Sequence, residues 1–439
     1  MKRRLVYGVV AVGLALNFAI GAMVYHSSAR AAQQKESLDS NVDLFADALQ
    51  KIRAEYVDNT NLSYRELTYS AIRGMVGSLD PHSEFLDAQD LQQLQDDTEG
   101  QFGGLGLVVS SRDGYVTVVA PMEDTPGFRA GIMTGDRIVK VNGKSVERMS
   151  LNSVVDLLRG KPGTPVTITI QRPSTGEEKT VTVTRAIIQM DMVKDINGRK
   201  EFPLGADGIG YIRITEFGER TGDELEAALD RLKAQGMKGL ILDLRFNPGG
   251  LLDQAVKVCQ KFLPRGQLIV STEGPDPLQN SVLRAGGHGD QLNGMPIVIL
   301  VNLGSASAAE IVTGCLQDLH RAVIMGEKTF GKGSVQTIFS LPDGDALKLT
   351  VAKYYTPSHR VIHEHGIEPD IVVPMTKEQE SALLLTRLPG GLAALGPTNR
   401  VSVEQIKDVQ LQRAGDLLKA MLLYGQMENV PVKMAAKLE

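Results

Sequence analysis

The run Pro296-Ile297-Val298-Ile299-Leu300-Val301, followed by Asn302-Leu303-Gly304-Ser305-Ala306-Ser307-Ala308-Ala309-Glu310, decides how this chain folds. An unbroken apolar run without alternation describes a strand covered on both faces, as in parallel sheets. Gly304 interrupts it, and a helix of small residues is predicted from Ser307 to about Leu319. The same alternation precedes it. Gly208–Ile214 reads as a strand and Gly222–Gln235 as a helix. Leu240–Leu244 reads as a buried strand, followed by Asn247-Pro248-Gly249-Gly250 and a helix over Leu251–Phe262. Strands alternating with helices build βαβ units around a parallel sheet. Residues 334–373 return to strands.

Upstream, the pattern changes. From about Gly100 short alternating strands prevail: Gly103-Gly104-Leu105-Gly106-Leu107-Val108-Val109 opens one, and Tyr115–Val119 forms another. A helix is predicted over Leu151–Leu158. Val166–Gln171 and Lys179–Thr184 close this unit as a hairpin around Ser174-Thr175-Gly176. Residues 33 to about 97 are helical by periodicity, with Leu38, Val42, Phe45, Leu49 and Ile52 on one face and a second run over Leu62–Val76. Leu91 and Leu94 carry a short third helix. The tail is predicted to be helical over Val403–Leu423.

A chain of 439 residues with 42% hydrophobic residues exceeds one ordinary core and implies several folded units. Charged residues of both signs are mixed and the net charge is -5, which excludes a nucleic-acid footprint. Cys259 and Cys315 lie in apolar helical runs, without the spacing of a metal or redox motif, and read as buried reduced thiols. His363 and His365 share a strand face but lack a third ligand at useful spacing, so no metal site is assigned. No cofactor is indicated.

Lys2, Arg3 and Arg4 precede an uncharged run from Leu5 to Tyr25, and Ser28-Ala29-Arg30-Ala31-Ala32 follows. A positive flank, an apolar stretch and a small-residue exit make an export signal. The stretch is also long enough to remain as a membrane anchor. Both readings put the body of the protein outside the cytoplasm, in the periplasm or its equivalent.

Ser307 stands at the carboxyl end of a buried strand and at a helix N-terminus, where sites of α/β folds lie and where free N–H groups stabilise an oxyanion. An ordinary helix cap is the plain alternative, and Ser305 serves that alternative equally well. The N–H of Ala308 is the natural first oxyanion donor, and the second is expected from the Gly249-Gly250 turn. Further along, Thr329-Phe330-Gly331-Lys332-Gly333-Ser334-Val335-Gln336 places a lysine in an apolar, glycine-flanked loop poor in acids. A lysine base must be neutral, and burial lowers its pKa. Gln336 can orient the amine without adding charge. Glu310, one helical turn beyond Ser307, is placed to hold the site by a hydrogen bond or to cap neighbouring N–H groups. Serine with lysine as general base is the chemistry of a serine hydrolase without histidine.

With these motifs the chain resembles the carboxyl-terminal processing proteases of the tail-specific protease family. Leu79-Asp80-Pro81-His82-Ser83, Asp243-Leu244-Arg245, Asn247-Pro248-Gly249-Gly250, Ser305-Ala306-Ser307-Ala308, Thr329-Phe330-Gly331-Lys332-Gly333, Tyr354-Tyr355-Thr356-Pro357 and Gly366-Ile367-Glu368-Pro369-Asp370 match in order. The resemblance implies Ser307 as nucleophile, Lys332 as base and Gln336 as its orienter. It also implies that residues 99–186 are a PDZ domain, with Gly104-Leu105-Gly106-Leu107 as the loop that captures a peptide carboxylate. The peptide would add as a strand beside Leu107–Val109, against the helix Leu151–Leu158. Phe246 departs from the small or polar residue usual before Asn-Pro-Gly-Gly, Ala309 from a frequent serine, and Ser358-His359 from a usual Ser-Gly.

The fold class read from the chain is α+β and multidomain. Residues 1–32 are the signal or anchor and 33–98 an N-terminal helical region. Residues 99–186 are the PDZ domain, inserted before an α/β core of the crotonase/ClpP-like type with a β-rich cap at 187–380. Residues 381–439 are a C-terminal helical region. The function expected is PDZ-guided C-terminal processing or degradation of envelope proteins by a serine endopeptidase. Its partners would be protein or peptide C-termini, an activating adaptor and, through the terminal helices, further copies of itself, with no nucleic acid. The alternatives are a silent PDZ scaffold presenting clients to a partner, and an acyl-CoA enzyme on the same core.

Overall fold

The computed structural model describes residues 37–58, 62–112, 114–122, 124–173, 175–287, 289–387 and 406–428. The signal or anchor read over 1–32 lies outside them, as do Ser174 of the expected hairpin turn and Val403 at the expected start of the last helix. Among the described residues no helix is long and apolar enough to cross a membrane. The chain divides into two compact units, Met1–Phe85 and Leu86–Glu439.

The first unit holds the helices Leu38–Glu55 and Tyr64–Gly77. Ser63 caps the second: its hydroxyl accepts the Glu66 N–H while the Glu66 carboxylate accepts the Ser63 N–H. The first helix buries none of its residues, so its apolar face, Leu38, Val42 and Ile52 among it, stays exposed.

In the second unit the helix Ala88–Glu99 ends at Gly100 in the left-handed conformation. The β-rich part is an antiparallel sheet in which Leu107–Arg112, Tyr115–Pro121, Arg137–Val141, Pro165–Arg172 and Glu177–Thr184 lie in that order. The helix Leu151–Leu158 closes one side of its core, burying Val154 and Leu158 against Ile138, Ile168 and Ile170.

The α/β part is a six-stranded sheet ordered Val193–Lys194, Ile209–Ile214, Gly239–Asp243, Ile297–Val301, Val323–Gly326 and Ile371–Val372. The first pair is antiparallel and the others are parallel. Alternate strand residues supply two cores. Ile212, Leu240, Leu242, Ile297 and Ile299 meet the helices Thr221–Ala234, Leu252–Gln260 and Ala308–Asp318 through Leu229, Val258 and Val312. Ile209, Ile241, Val298 and Leu300 face the other way, onto Ala414 and Leu418 of the C-terminal helix. Full burial of each such side chain stabilises by about 1.5–3 kcal/mol. Cys259 and Cys315, buried free thiols, stand on facing helices of the first core. A second sheet is antiparallel, joining Ser281–Arg284, Leu268–Glu273, Ala346–Tyr355 and Ser334–Ser340.

One boundary differs from expectation. The last helix spans Val409–Glu428. It starts there because the Asp408 carboxylate accepts the Leu411 N–H, an N-cap interaction three residues ahead. The domain boundary read at 380 falls inside the helix Lys377–Arg387, which is continuous across it.

Candidate active site

The fully buried strand Ile297–Val301 delivers the chain to a tight corner. Asn302 Oδ1 accepts the N–H groups of Phe246 and Gly304 at 2.9 and 3.1 Å, tying this corner to the one after Gly239–Asp243. Ser305 is wholly buried, donating its hydroxyl to the Leu244 carbonyl at 2.8 Å and accepting the Asn302 N–H at 3.0 Å. It is a clasp between strand ends, neither a cap nor a nucleophile. Ser307 follows with φ 56° and ψ −117°. An ordinary N-cap has β-region dihedrals, so this backbone differs from a cap and carries strain of the sort that clusters at active sites. The turn lifts Ser307 to partial exposure between buried Ala306 and Ala308.

Glu310 explains why the turn holds. Its carboxylate is fully buried and accepts four hydrogen bonds. Oε2 takes the N–H of Ser307 at 2.9 Å and that of Lys332 at 2.8 Å. Oε1 takes the N–H of Gly331 at 2.7 Å and the hydroxyl of Thr329 at 2.5 Å. Burial pushes this carboxyl upward from its ordinary value, against the opposing pull of its four donors. Thr329 in turn accepts the Ile367 N–H at 2.7 Å, and the Phe330 N–H reaches the Ser305 carbonyl at 3.0 Å. The two motifs quoted from the sequence are therefore bound backbone to backbone. Gly333 must be glycine, since a Cβ there would stand 2.1 Å from the His363 nitrogen.

Lys332 is half-buried, and burial first, then the ammonium of Lys348, push its amine below the ordinary lysine value. Among the described residues its Nζ makes no hydrogen bond or ion pair. Gln336, read as its orienter, instead directs its amide Nε2 to Ser334 Oγ at 2.9 Å and Thr350 Oγ1 at 3.3 Å. A β-bulge between Val335 and Gln336 sets that direction.

The turn Asn247-Pro248-Gly249-Gly250 lies against Ser307. A Cβ on Gly249 would stand 2.6 Å from Ser307 Cβ and 3.1 Å from the Ala308 nitrogen, and its φ is 105°. Only glycine allows that approach. The Gly249 N–H itself is taken by Asn247 Oδ1 at 2.8 Å, while Asn247 Nδ2 donates to the Ile214 carbonyl at 2.8 Å. Gly249 is thus corrected from donor to spacer. The N–H groups of Ala308 and Gly250 have no acceptor among the described residues.

Sequence reasoning quoted Tyr354 within a motif without giving it a role. Its hydroxyl lies 3.0 Å from Ser307 Oγ and 2.5 Å from the Lys332 carbonyl oxygen, and its ring is 3% exposed. Burial pushes the phenol well above its ordinary value. No local pattern marks such a residue, because the contact depends on packing across 47 positions.

Behind the site a buried ion network ties strand end to C-terminal helix. Arg245 bonds Asp243 at 2.6 Å and Asp408 at 2.8 Å, and donates to Gln410 at 3.1 Å. Arg387 pairs with the same Asp243 and donates to the Arg245 carbonyl, and Tyr211 donates to Asp243 at 2.8 Å.

In the β-rich part, Gly104 and Leu105 are buried, and Gly106 has φ 70°. The Leu105 carbonyl accepts the Gly127 N–H at 2.7 Å and that of Gly106 the Met122 N–H at 2.8 Å. These bonds fix the loop beside the strand Leu107–Arg112, with half-buried Leu107, Val109 and Leu151 packed on the core below.

Comparison with known proteins places these features. The pattern of "Peptidase family S41" matches residues 208–373, and that of a "PDZ domain" matches residues 117–172. The chain is 45% identical to a carboxy-terminal-processing protease of Bartonella bacilliformis over 75% of its length and 74% of the relative. It is 36% identical to the carboxy-terminal processing protease CtpA of Bacillus subtilis over 84% of this chain and 78% of that one. Among solved structures, a photosystem II D1 C-terminal processing protease is 33% identical, covering 75% of this chain and 92% of that one, with a TM-score of 0.43.

Proposed function

Because the chain belongs to the carboxy-terminal processing proteases of peptidase family S41, a family of serine-type peptidases, we propose that it cleaves protein chains through a Ser307–Lys332 dyad. The observation that carries this reading is the shared Glu310 carboxylate, which locks the two residues' backbones together. Ser307 Oγ attacks the scissile carbonyl as neutral Lys332 takes its proton. Lys332 then protonates the departing amine, and water, deprotonated by the Lys332 amine, releases the acyl group. The Ala308 and Gly250 N–H groups receive the oxyanion.

The PDZ domain suits peptide binding, and we assign it capture of substrate C-termini by the Gly104–Leu107 loop. The Lys332 amine, without a partner among the described residues, and the turned-away Gln336 fit a resting enzyme whose dyad is assembled when substrate or an adaptor engages. The positive N-terminus with its apolar run supports export and work on envelope proteins, with or without a retained anchor. The exposed face of the helix Leu38–Glu55 supports self-association.

The test is hydrolysis of casein by the full chain beside Ser307→Ala and Lys332→Ala. Loss in both, with unchanged thermal unfolding, is expected. Activity persisting in Ser307→Ala overturns the assignment. An inactive wild type that envelope extract does not switch on marks the chain as a scaffold.

A further inference from the structure

The Tyr354 hydroxyl touches one atom from each half of the site, and its proton inventory is limited. A phenol carries one hydrogen. The Lys332 carbonyl can only accept, and it lies 2.5 Å away. The Tyr354 proton therefore belongs to that carbonyl. The second contact, 3.0 Å to Ser307 Oγ, is then completed by the serine, whose own hydrogen points at Tyr354 Oη. Burial holds the phenol protonated, so this assignment persists across the working pH range.

We propose that Tyr354 is a further catalytic residue of this reaction: its single hydroxyl fixes the Ser307 Oγ at a set distance from the Lys332 backbone. The inference rests on Ser307 being the nucleophile. Ser307 sits in a strained turn, and Lys332 sits in a loop flanked by glycines. The Glu310 carboxylate couples their main chains and does not itself touch the Oγ. Tyr354 does. Its own position is secured by the Tyr354 N–H bond to the Gly333 carbonyl at 3.0 Å, so the ruler is built from the lysine loop's own strand pairing. When a substrate carbonyl arrives, the serine hydrogen turns from Tyr354 Oη to neutral Lys332 Nζ, which releases Oγ from the phenol at the position from which it attacks. No bond to Tyr354 is made or broken, and the proton passes only from serine to lysine. The titratable and charged groups around this point are Glu310 below the backbone, Lys332 from the glycine-flanked loop, Lys348 from the strand Ala346–Tyr355, and Tyr354 itself.

The test is Tyr354→Phe, which keeps the ring and removes the oxygen, beside site-specific 3-fluorotyrosine, which keeps both. The readouts are kcat and KM on a peptide, the rate of inactivation by a fluorophosphonate, and thermal unfolding. A misplacement of this kind costs about 100-fold. Tyr354→Phe is expected to lose kcat and fluorophosphonate reactivity together by about that factor, with KM little changed, and the fluorotyrosine protein to behave as wild type. Wild-type or faster reaction of Tyr354→Phe overturns the inference, the faster case marking the hydroxyl as a brake. Equal loss in the fluorotyrosine protein overturns it too. Ser307→Ala run in parallel separates the two claims: if it still hydrolyses peptide, the dyad fails; if it is dead while Tyr354→Phe is unimpaired, only the role of Tyr354 fails.

Discussion

The main-chain N–H groups of Ser307 and Lys332 donate to one and the same oxygen, Glu310 Oε2, at 2.9 and 2.8 Å. Residues 25 positions apart in the chain thereby become a single rigid unit. The arrangement resembles an N-terminal capping box at Ser307, since the carboxylate three residues on returns to the cap N–H. It differs in that the other oxygen and half of the first are spent on a distant loop.

Glu310→Gln tests that unit. Glutamine is isosteric, but one carboxylate oxygen becomes an NH2 group that faces N–H or hydroxyl donors. At least one buried donor loses its acceptor, at about 1–3 kcal/mol. Reduced thermal stability is expected, and a larger fall in kcat, because the lysine loop and the serine turn separate. Calorimetry with peptide hydrolysis checks both. Full activity in Glu310→Gln would show that the loop is held by other contacts.

The pH profile follows from Lys332. As the proposed base it has to be neutral, so activity is expected to rise as pH rises through its pKa. Burial and the Lys348 ammonium displace that pKa below the ordinary 10.5. The rising limb of kcat/KM is expected below that value, and Lys348→Met should move the limb to higher pH by removing a like charge. Lys332→Arg should be inactive at every pH, since a guanidinium stays protonated. A profile flat across the alkaline range would speak against a lysine base.

What was legible in the sequence was the placement of residues whose neighbours are local. A buried apolar strand running into small residues announces the Ser307 corner, and glycines around Lys332 announce a tight loop. Bonds that depend on register or on distant packing were not legible. Gln336 points to Ser334 because a bulge turns it there. The Gly249 N–H is consumed by Asn247, whose side chain closes its own turn two residues on. Tyr354 reaches Ser307 only because a strand end from the second sheet packs over the Ser307 corner. The start of the C-terminal helix was misread because apolar residues before Asp408 continue the period, while the cap at Asp408 decides where helix begins.

Asp243 is fully buried, and burial alone would push its carboxyl up, yet Arg245 and Arg387 beside it hold it well below the ordinary value. A carboxyl lowered by folding contributes stability that is complete above its unfolded pKa and is lost as pH falls toward the folded one. Acid unfolding is therefore expected to begin as pH drops under about 4, with the C-terminal helix released early. Asp243→Asn leaves Arg245 and Arg387 with a buried, uncompensated charge and should cost about 3–5 kcal/mol at neutral pH while flattening the acid limb. Urea unfolding at several pH values measures both effects. An unchanged midpoint at pH 7 would show that Asp408 alone satisfies Arg245.

Gly249→Ala should separate binding from chemistry. The added methyl would stand 2.6 Å from Ser307 Cβ and 3.1 Å from the Ala308 nitrogen, and a φ of 105° disfavours any side chain. Both effects act at the proposed oxyanion position, while the loop at Gly104–Leu107 proposed to take the peptide lies in the separate β-rich part. Affinity for a peptide with a free C-terminus, read by fluorescence anisotropy, is expected to stay at the wild-type value, and amidating that C-terminus should weaken it about tenfold or more in both proteins, as loss of a charged acceptor costs roughly 1.5–3 kcal/mol. Hydrolysis should fall by about 100- to 1,000-fold as the methyl displaces the Ala308 N–H, the range for losing one oxyanion donor. A variant that binds and cleaves normally would require the Gly249 turn to move away from Ser307 before substrate is cut, and the donor beside Ala308 would then have to come from another part of the chain.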